Sequence, residues 1–509
     1  MEEQWFETAT PESQGIPSSA ILSFIEEVEK EKIGLDALII MRHGKIVTEG
    51  YWAPFEKGDP HRLFSAGKAI VSTAILFAID EGLLHLEDTA ARLLEDALPE
   101  HYSDKFDRMT LYDLLTMHTG HSEDTFGKMI QEGGDREKTF FRLEPEYEPG
   151  THFLYNNGVP DILSILLYKV TGQRVYEYLE NRLFQPLEMD GMHVDSYRHL
   201  DELPTMTAST RSLFKLAYFY ANHGVWNGKQ LLSQELIDMA GAYLVPSLQD
   251  PVPPMVAYDT QFGYGFQIWR NSVGGFRIDG GRGQFGIVIP EMDLVAAMNA
   301  TEQDQGVLPV LFWKHVTNHM FARPIKEDTK SFSRLSQKLK ELTWAEKGNA
   351  VLSLSVNGTY ELEEKMFGTK RIIIEVKENK IFLATDVTEG KAVDLGSVND
   401  RRWHRAIMPF LPEKTSFGGG IGKNNVTGGD ANSTYACIAC HSPNEFVIHF
   451  RSKGFMGAQL FAFDFENYIL TFMSYDDYAR RLRSNAVKHK NLDACANSQM
   501  HSEKMVKLA

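Results

Sequence analysis

The residues of this chain best suited to chemistry fall in two short stretches. In LFSAGKAIVSTAILFAIDEGLL, residues 63–84, Ser65 and Lys68 stand three apart at the mouth of a long apolar run. A serine hydroxyl is a weak nucleophile until a neighbouring base takes its proton. Positions i and i+3 of a helix share a face, so Lys68 would lie over Ser65 and, partly desolvated, share in proton transfer. The helix N-terminus would also point free N–H groups at the same place and favour an oxyanion. Taken alone, the pair reads equally as an N-cap serine and a lysine laid along the surface.

The second stretch, PGTHFLYNNG at residues 149–158, supplies Tyr155 and Asn157. A tyrosine on a loop can serve as general base or proton shuttle beside a lysine, and an amide two residues on can hold a substrate carbonyl. Both spacings recur in Ser212-Leu-Phe-Lys215 and Tyr220-Ala221-Asn222, but these lie in one helical segment, STRSLFKLAYFYANHG. Eight residues at ~1.5 Å each put Ser212 and Tyr220 ~12 Å apart, so they cannot converge. Tyr155 follows a separate Pro149-Gly150 turn and is free to meet Ser65 through the fold.

The elements that must position these groups alternate between sheet and helix. AILSFIEEVEKE (20–31) reads as an amphipathic helix, and LDALIIMRHGKIVTEGYW as a hairpin turning at His43-Gly44-Lys45. A helix beginning near Ser65 follows, then a mostly helical stretch from about 85 to 245. Strand patterns return at YGFQIW and GIVIPEMDLVAAMN, with KHVTNHMF as a closing helix. The expectation is an α/β (α+β) domain over 1–325, a central antiparallel sheet flanked by helices with an all-helical insertion. A charged linker helix is expected over 326–350 and a small antiparallel β-barrel of short alternating strands over 351–480. Residues 481–509 read as a polar C-terminal tail.

At 509 residues the chain should hold about two or three domains. Hydrophobic residues at 43% and charged residues at 24% support an ordinary globular core. A net charge of −17 argues against nucleic acid or an anionic membrane as partner. The start MEEQWFETATPES lacks the basic and apolar regions of a signal peptide, and only 3 cysteines occur, so a cytoplasmic protein is expected. No run approaches the ~20 apolar residues of a transmembrane helix.

The fragments TPESQGI, FSAGK, LYDLLTMHTGH, PGTHFLYNNGVPDILSILLYKVTGQ, FQPLEMDGM, FGYGFQIW and GGRGQFGIVIPEMDLV occur in the order of a known family. Over roughly residues 8–322 the chain resembles the serine β-lactamase-like hydrolases, which include class C β-lactamases, penicillin-binding DD-peptidases, esterases and amidases. The β-rich segment resembles the lipocalin-like domain appended to several of them. The resemblance implies that Ser65 is acylated, that Lys68 assists its activation, and that Tyr155 is general base and later leaving-group acid. It implies that Asn157 contacts the substrate amide, and that Gly281, Arg282, Gly283, Gln284 and Trp269 edge the substrate. The oxyanion hole would combine the Ser65 N–H with one from Gly280–Gly283. No cofactor is implied, and the partner would be a small-molecule ester, amide or peptide; the assembly, a homodimer included, is left open. Where class C enzymes carry Lys-Thr-Gly, this chain reads RIDGGRGQF, which places it nearer the esterase and amide-hydrolase branch. Arg277 or Arg282 could replace the missing lysine as an anion anchor. Acyl transfer, thioester cleavage or a binding scaffold on the same fold are the alternatives.

Three rival patterns have plainer readings. Cys437-Ile-Ala-Cys440-His441 matches a haem-attachment spacing but sits in a strand-like run. GGGIGKN (418–424) echoes a phosphate cradle without its Gly and Ser/Thr. His118 and His121 look like a ligand pair with no third member in the sequence nearby, and read as helix-end residues.

Overall fold

The structure, a computed structural model, describes residues 6–132, 135–194, 206–248, 259–302, 306–346, 348–366, 368–410, 434–452, 458–474 and 501–508. The chain divides into two compact units. The first comprises Met1–Phe24, Ala37–Gly50 and Pro60–Ser336; the second comprises Ile25–Asp36, Tyr51–Asp59 and Gln337–Ala509.

The first unit is built on a six-stranded sheet in the order Lys45–Tyr51, Leu35–Arg42, Leu294–Ala300, Gln284–Ile289, Phe276–Gly280, Trp269–Arg270. Its opening hairpin turns at His43 and Gly44, both at positive φ (48° and 71°), the loop geometry that matches the twist of the flanking strands. Every residue of Leu35–Arg42, Gln284–Ile289 and Leu294–Ala300 is buried, which explains why these strands read as continuous apolar runs rather than alternations. Helix Thr210–Ala221 covers the strands Gln284–Ile289 and Leu294–Ala300.

Between the two ends of the sheet lies the expected helical stretch, including Leu111–Leu115, Phe126–Glu132, Arg136–Arg142, Val159–Thr171 and Val175–Leu179. The helix Gly67–Asp80 runs through it, with Gly67 to Ala78 all buried, and packs against Val159–Thr171. A small three-stranded sheet, His61–Arg62, Met206–Ala208 and His193–Val194, was not legible in the sequence, since strands of two or three residues carry no periodicity. The closing helix is Val307–His315, earlier than KHVTNHMF suggests. Pro309 falls in its first turn, where the missing N–H has no intrahelical partner to lose, so it does not break the helix. YGFQIW forms a strand only at Trp269–Arg270.

Helix Thr329–Lys340 carries the chain across the division at Ser336, and the second unit is a nearly closed barrel of ten strands. They run in the order Val393–Ser397, Lys380–Thr385, Thr369–Lys377, Gly358–Met366, His501–Leu508, Ile469–Ser474, Ala458–Asp464, Glu445–Ser452, Thr434–Ser442, His404–Ala406. The first and last lie side by side, and Val398 bridges Ile438. The interior is aromatic: Phe410 stacks on Phe461 at 4.0 Å and Phe446 on Phe463 at 4.8 Å. Residues 501–508 correct the reading of a polar tail. HSEKMVKL pairs with two neighbours, Leu362 opposite Met505 and Leu470 opposite Glu503, and buries Met505 among polar residues. One buried side chain among the six described is too weak an alternation to read; the backbone bonds of both neighbours carry the strand.

Within this unit Asp36 and Arg451, both buried, form an ion pair, and burial pushes the Asp36 carboxyl up to about 7 although Arg451 pulls it down. Arg451 also faces the Trp344 ring at 5.7 Å. Removing one member of a buried pair leaves the other uncompensated. Arg451→Ala is therefore expected to cost about 3–5 kcal/mol in chemical denaturation, whereas Arg92→Ala, on an exposed pair, should change stability by less than ~1 kcal/mol.

Candidate active site

Ser65 sits in a single 3-10 turn, Phe64–Ala66, that feeds directly into helix Gly67–Asp80. Phe64 takes φ +49°, a left-handed conformation that a bulky residue adopts at a cost of ~1–3 kcal/mol. Strain of this kind needs a surrounding that enforces it, and Gly280 shows one. A Cβ at Gly280 would lie 2.1 Å from the Leu63 carbonyl oxygen and 2.8 Å from the Ala66 nitrogen. The end of strand Phe276–Gly280 is thus flush against the Ser65 turn, which brings the 280–283 backbone alongside. Gly283, at φ +90°, completes the reversal into Gln284–Ile289.

Lys68 is buried in the first turn of the helix. Its Nζ donates to Ser65 Oγ at 2.9 Å and to Asn157 Oδ1 at 2.9 Å, and lies 4.9 Å from the centre of the Tyr155 ring. The structure therefore brings Ser65, Lys68, Tyr155 and Asn157 together around one ammonium. Tyr155 in turn stacks on Trp269 at 5.4 Å and meets Tyr264 edge-on at 6.4 Å. Phe153 closes this aromatic wall, 5.3 Å from Tyr264.

The flanking charges are held firmly. Arg277 is buried and donates to Asp279 Oδ2 (2.8 Å), the Asp259 carbonyl (3.0 Å) and Asn271 Oδ1 (3.2 Å), so it is engaged by the protein's own groups. Burial pushes Asp279 upward against the opposing pull of Arg277 and Lys68. Tyr264 is raised well above the ordinary phenol value, first by burial and then by Tyr155 and Asp279. Gln284 is buried and donates to the Ala300 carbonyl at 2.6 Å and the Gly281 carbonyl at 3.4 Å, while accepting from Asn299 at 2.7 Å; it braces the turn from behind. Gly281 lies over Phe64, and Arg282, at φ +67°, accepts from the Glu302 N–H at 3.1 Å through its carbonyl.

The sequence reading missed Asp124. It stands in the loop before helix Phe126–Glu132 and accepts from the Asn157 backbone N–H at 3.0 Å, Asn157 Nδ2 at 2.6 Å and the Phe126 N–H at 3.0 Å. Its only sequence signal was that of a capping residue two positions before a helix.

The duplicate spacings prove structural. Ser212 Oγ donates to Asp190, Lys215 Nζ to the Glu188 carbonyl at 2.6 Å, and Tyr220 shares a 2.8 Å hydrogen bond with Thr73. Cys437 and Cys440 lie on strand Thr434–Ser442, where an odd separation sends them to opposite faces; burial pushes the Cys437 thiol up to about 12. The GGGIGKN loop lies outside the described residues. Among the described residues no group of three or more His, Cys, Asp or Glu is placed for a metal ion, and no helix is long and apolar enough to cross a membrane.

His118 meets the Thr116 carbonyl at 3.0 Å; both ring nitrogens of His121 are engaged, with Thr119 Oγ1 at 2.9 Å and the Leu143 carbonyl at 2.8 Å. Burial lowers His121 from 6.5 to about 4. A histidine kept neutral by the fold contributes stability that is complete above its unfolded value and is lost as pH falls through its folded one. Between pH 6.5 and 4 the thermal midpoint should therefore fall less steeply in His121→Gln than in the wild type.

The Beta-lactamase family profile matches residues 23–310. An uncharacterised protein of Alkalihalophilus pseudofirmus is 24% identical over 316 residues, 53% of this chain and 85% of its own. The 6-aminohexanoate-dimer hydrolase of Paenarthrobacter ureafaciens is 24% identical over 252 residues, 45% of this chain and 63% of the hydrolase, less than two thirds of its length. The structure of a penicillin-binding protein homologue from Caulobacter crescentus aligns with 61% of this chain and 100% of its own at 17% identity and a TM-score of 0.47. Since the family profile spans more than half of the chain and takes in Ser65, Lys68, Tyr155, Asn157 and the 280–283 turn, this protein belongs to the Beta-lactamase family.

Proposed function

We propose that the protein is a serine hydrolase that cleaves an ester or amide through an acyl-enzyme on Ser65. The observation that carries this reading is the Lys68 ammonium, 2.9 Å from Ser65 Oγ and 4.9 Å from the Tyr155 ring. Ser65 Oγ attacks the substrate carbonyl while its proton passes to the Tyr155 oxygen, which acts as general base in its phenolate form with the Lys68 ammonium as counter-ion. Negative charge gathers on the carbonyl oxygen, where the Ser65 N–H and the backbone of the 280–283 turn stabilise it. Collapse expels an alcohol or amine that takes the proton back, and water then releases the acyl group by the same path in reverse. The hydrolase among the relatives supports amide cleavage as one form of this chemistry.

Of the two arginines that could anchor a β-lactam carboxylate, Arg277 is engaged within the sheet, and Asp279 sets a carboxylate at the strand end. Ser65→Ala is expected to abolish turnover and labelling by a fluorophosphonate, and Tyr155→Phe to slow turnover by about 100-fold or more. Activated esters and D-amino-acid amides should be cleaved faster than a chromogenic cephalosporin by the wild type. Turnover unchanged in Ser65→Ala would refute the acyl-enzyme.

A further inference from the structure

Lysine is a poor positioning device by itself, because its ammonium rides on a flexible four-carbon stem. Two acceptors fix Lys68, and one of them, Asn157, is itself fixed from behind. An ammonium can only donate and a carboxylate can only accept, so one orientation alone of the Asn157 amide satisfies Lys68 on one side and Asp124 on the other. The amide thus links a cation to an anion, Asp124 to Asn157 to Lys68 to Ser65, and each hydrogen bond polarises the next. The second amide hydrogen of Asn157 is left for a substrate carbonyl.

On the acyl-enzyme reading of Ser65, we infer that Asp124 is a positioning residue for acylation: through the Asn157 amide it holds the Lys68 ammonium on the Ser65 hydroxyl. Asp124 touches neither Lys68 nor Ser65 in this arrangement. Its two other hydrogen bonds, from the Asn157 and Phe126 backbone N–H groups to Oδ1, shape the loop and separate the structural part of its role from the electrostatic part.

Asp124→Asn isolates the electrostatic part. Its remaining oxygen still caps both backbone N–H groups, but its NH2 now opposes the NH2 of Asn157, and either amide must turn away or place a donor against Lys68. Asp124→Ala removes both parts. The rate at which a fluorophosphonate labels Ser65 reports acylation without a known substrate. Labelling should slow by about 10- to 100-fold in Asp124→Asn, as much as in Asp124→Ala, while only Asp124→Ala lowers the thermal midpoint. In an Asn157→Ala background, Asp124→Asn should change labelling by less than about 3-fold, since the amide through which it acts is gone. A wild-type rate in Asp124→Asn, or losses that add in the double variant, would overturn the role of Asp124 while leaving the acyl-enzyme intact. Failure of wild-type Ser65 to label at all would overturn both. Should Asn157→Ala label too slowly to measure, the comparison of Asp124→Asn with Asp124→Ala decides.

Discussion

A lysine buried in the first turn of an apolar helix must find partners, because an ionised group taken out of water without them costs many kcal/mol. Much of the first unit can be understood as the answer to Lys68. The helix that carries it is buried from Gly67 to Ala78 and leaves no route for the side chain along its own surface. Ser65, from the preceding turn, and Asn157, from a loop nearly ninety positions on, supply oxygens, and the face of Tyr155 supplies a third contact. None of the three is placed by its own local structure alone. The strained Phe64 turn is closed by strand Phe276–Gly280, and the Tyr155 ring is set by Trp269 and Tyr264.

The division of labour around this centre follows from burial. Deep charges are matched internally: Arg277 between Asp279 and Asp259, Arg211 against Glu49 at 2.7 Å. Such groups are spent on one another within the fold. The groups left half-buried, Ser65, Tyr155 and Asn157, are those that can meet a ligand. The same rule disposes of the second serine–lysine pair, Ser212 and Lys215, which is buried whole and ties helix Thr210–Ala221 to the chain around Glu188 and Asp190.

What the sequence revealed and concealed divides along similar lines. Ser65, Lys68 and Tyr155 were legible because two spacings and a turn confine them to a few geometries, and the decoys failed on helical distance alone. The hairpin at His43-Gly44 and seven of the barrel strands showed as periodic runs bounded by turn residues. Asp124 was hidden because its partner is chosen by tertiary contact, while its local grammar is that of any capping aspartate. The family resemblance implied Gln284 as a substrate neighbour; in the strand its amide turns inward to Ala300 and Asn299. The strand His501–Leu508 was hidden for a different reason: its stability resides in backbone pairing, which leaves no mark on side-chain pattern.

The contact of Gly280 with the Ser65 turn has a bearing on when, during synthesis, that turn takes its final shape. Ser65 and Lys68 leave the ribosome early, but the strand that closes their turn lies some two hundred residues later, and its sheet partners run on to Ala300. Until that stretch has emerged, the contact that holds the left-handed Phe64 is missing, and so is the 280–283 backbone beside Ser65. A nascent or truncated chain carries the serine and the lysine without the strand that sets their geometry. The Ser65 turn is thereby a late product of folding, completed only with the unit that contains it.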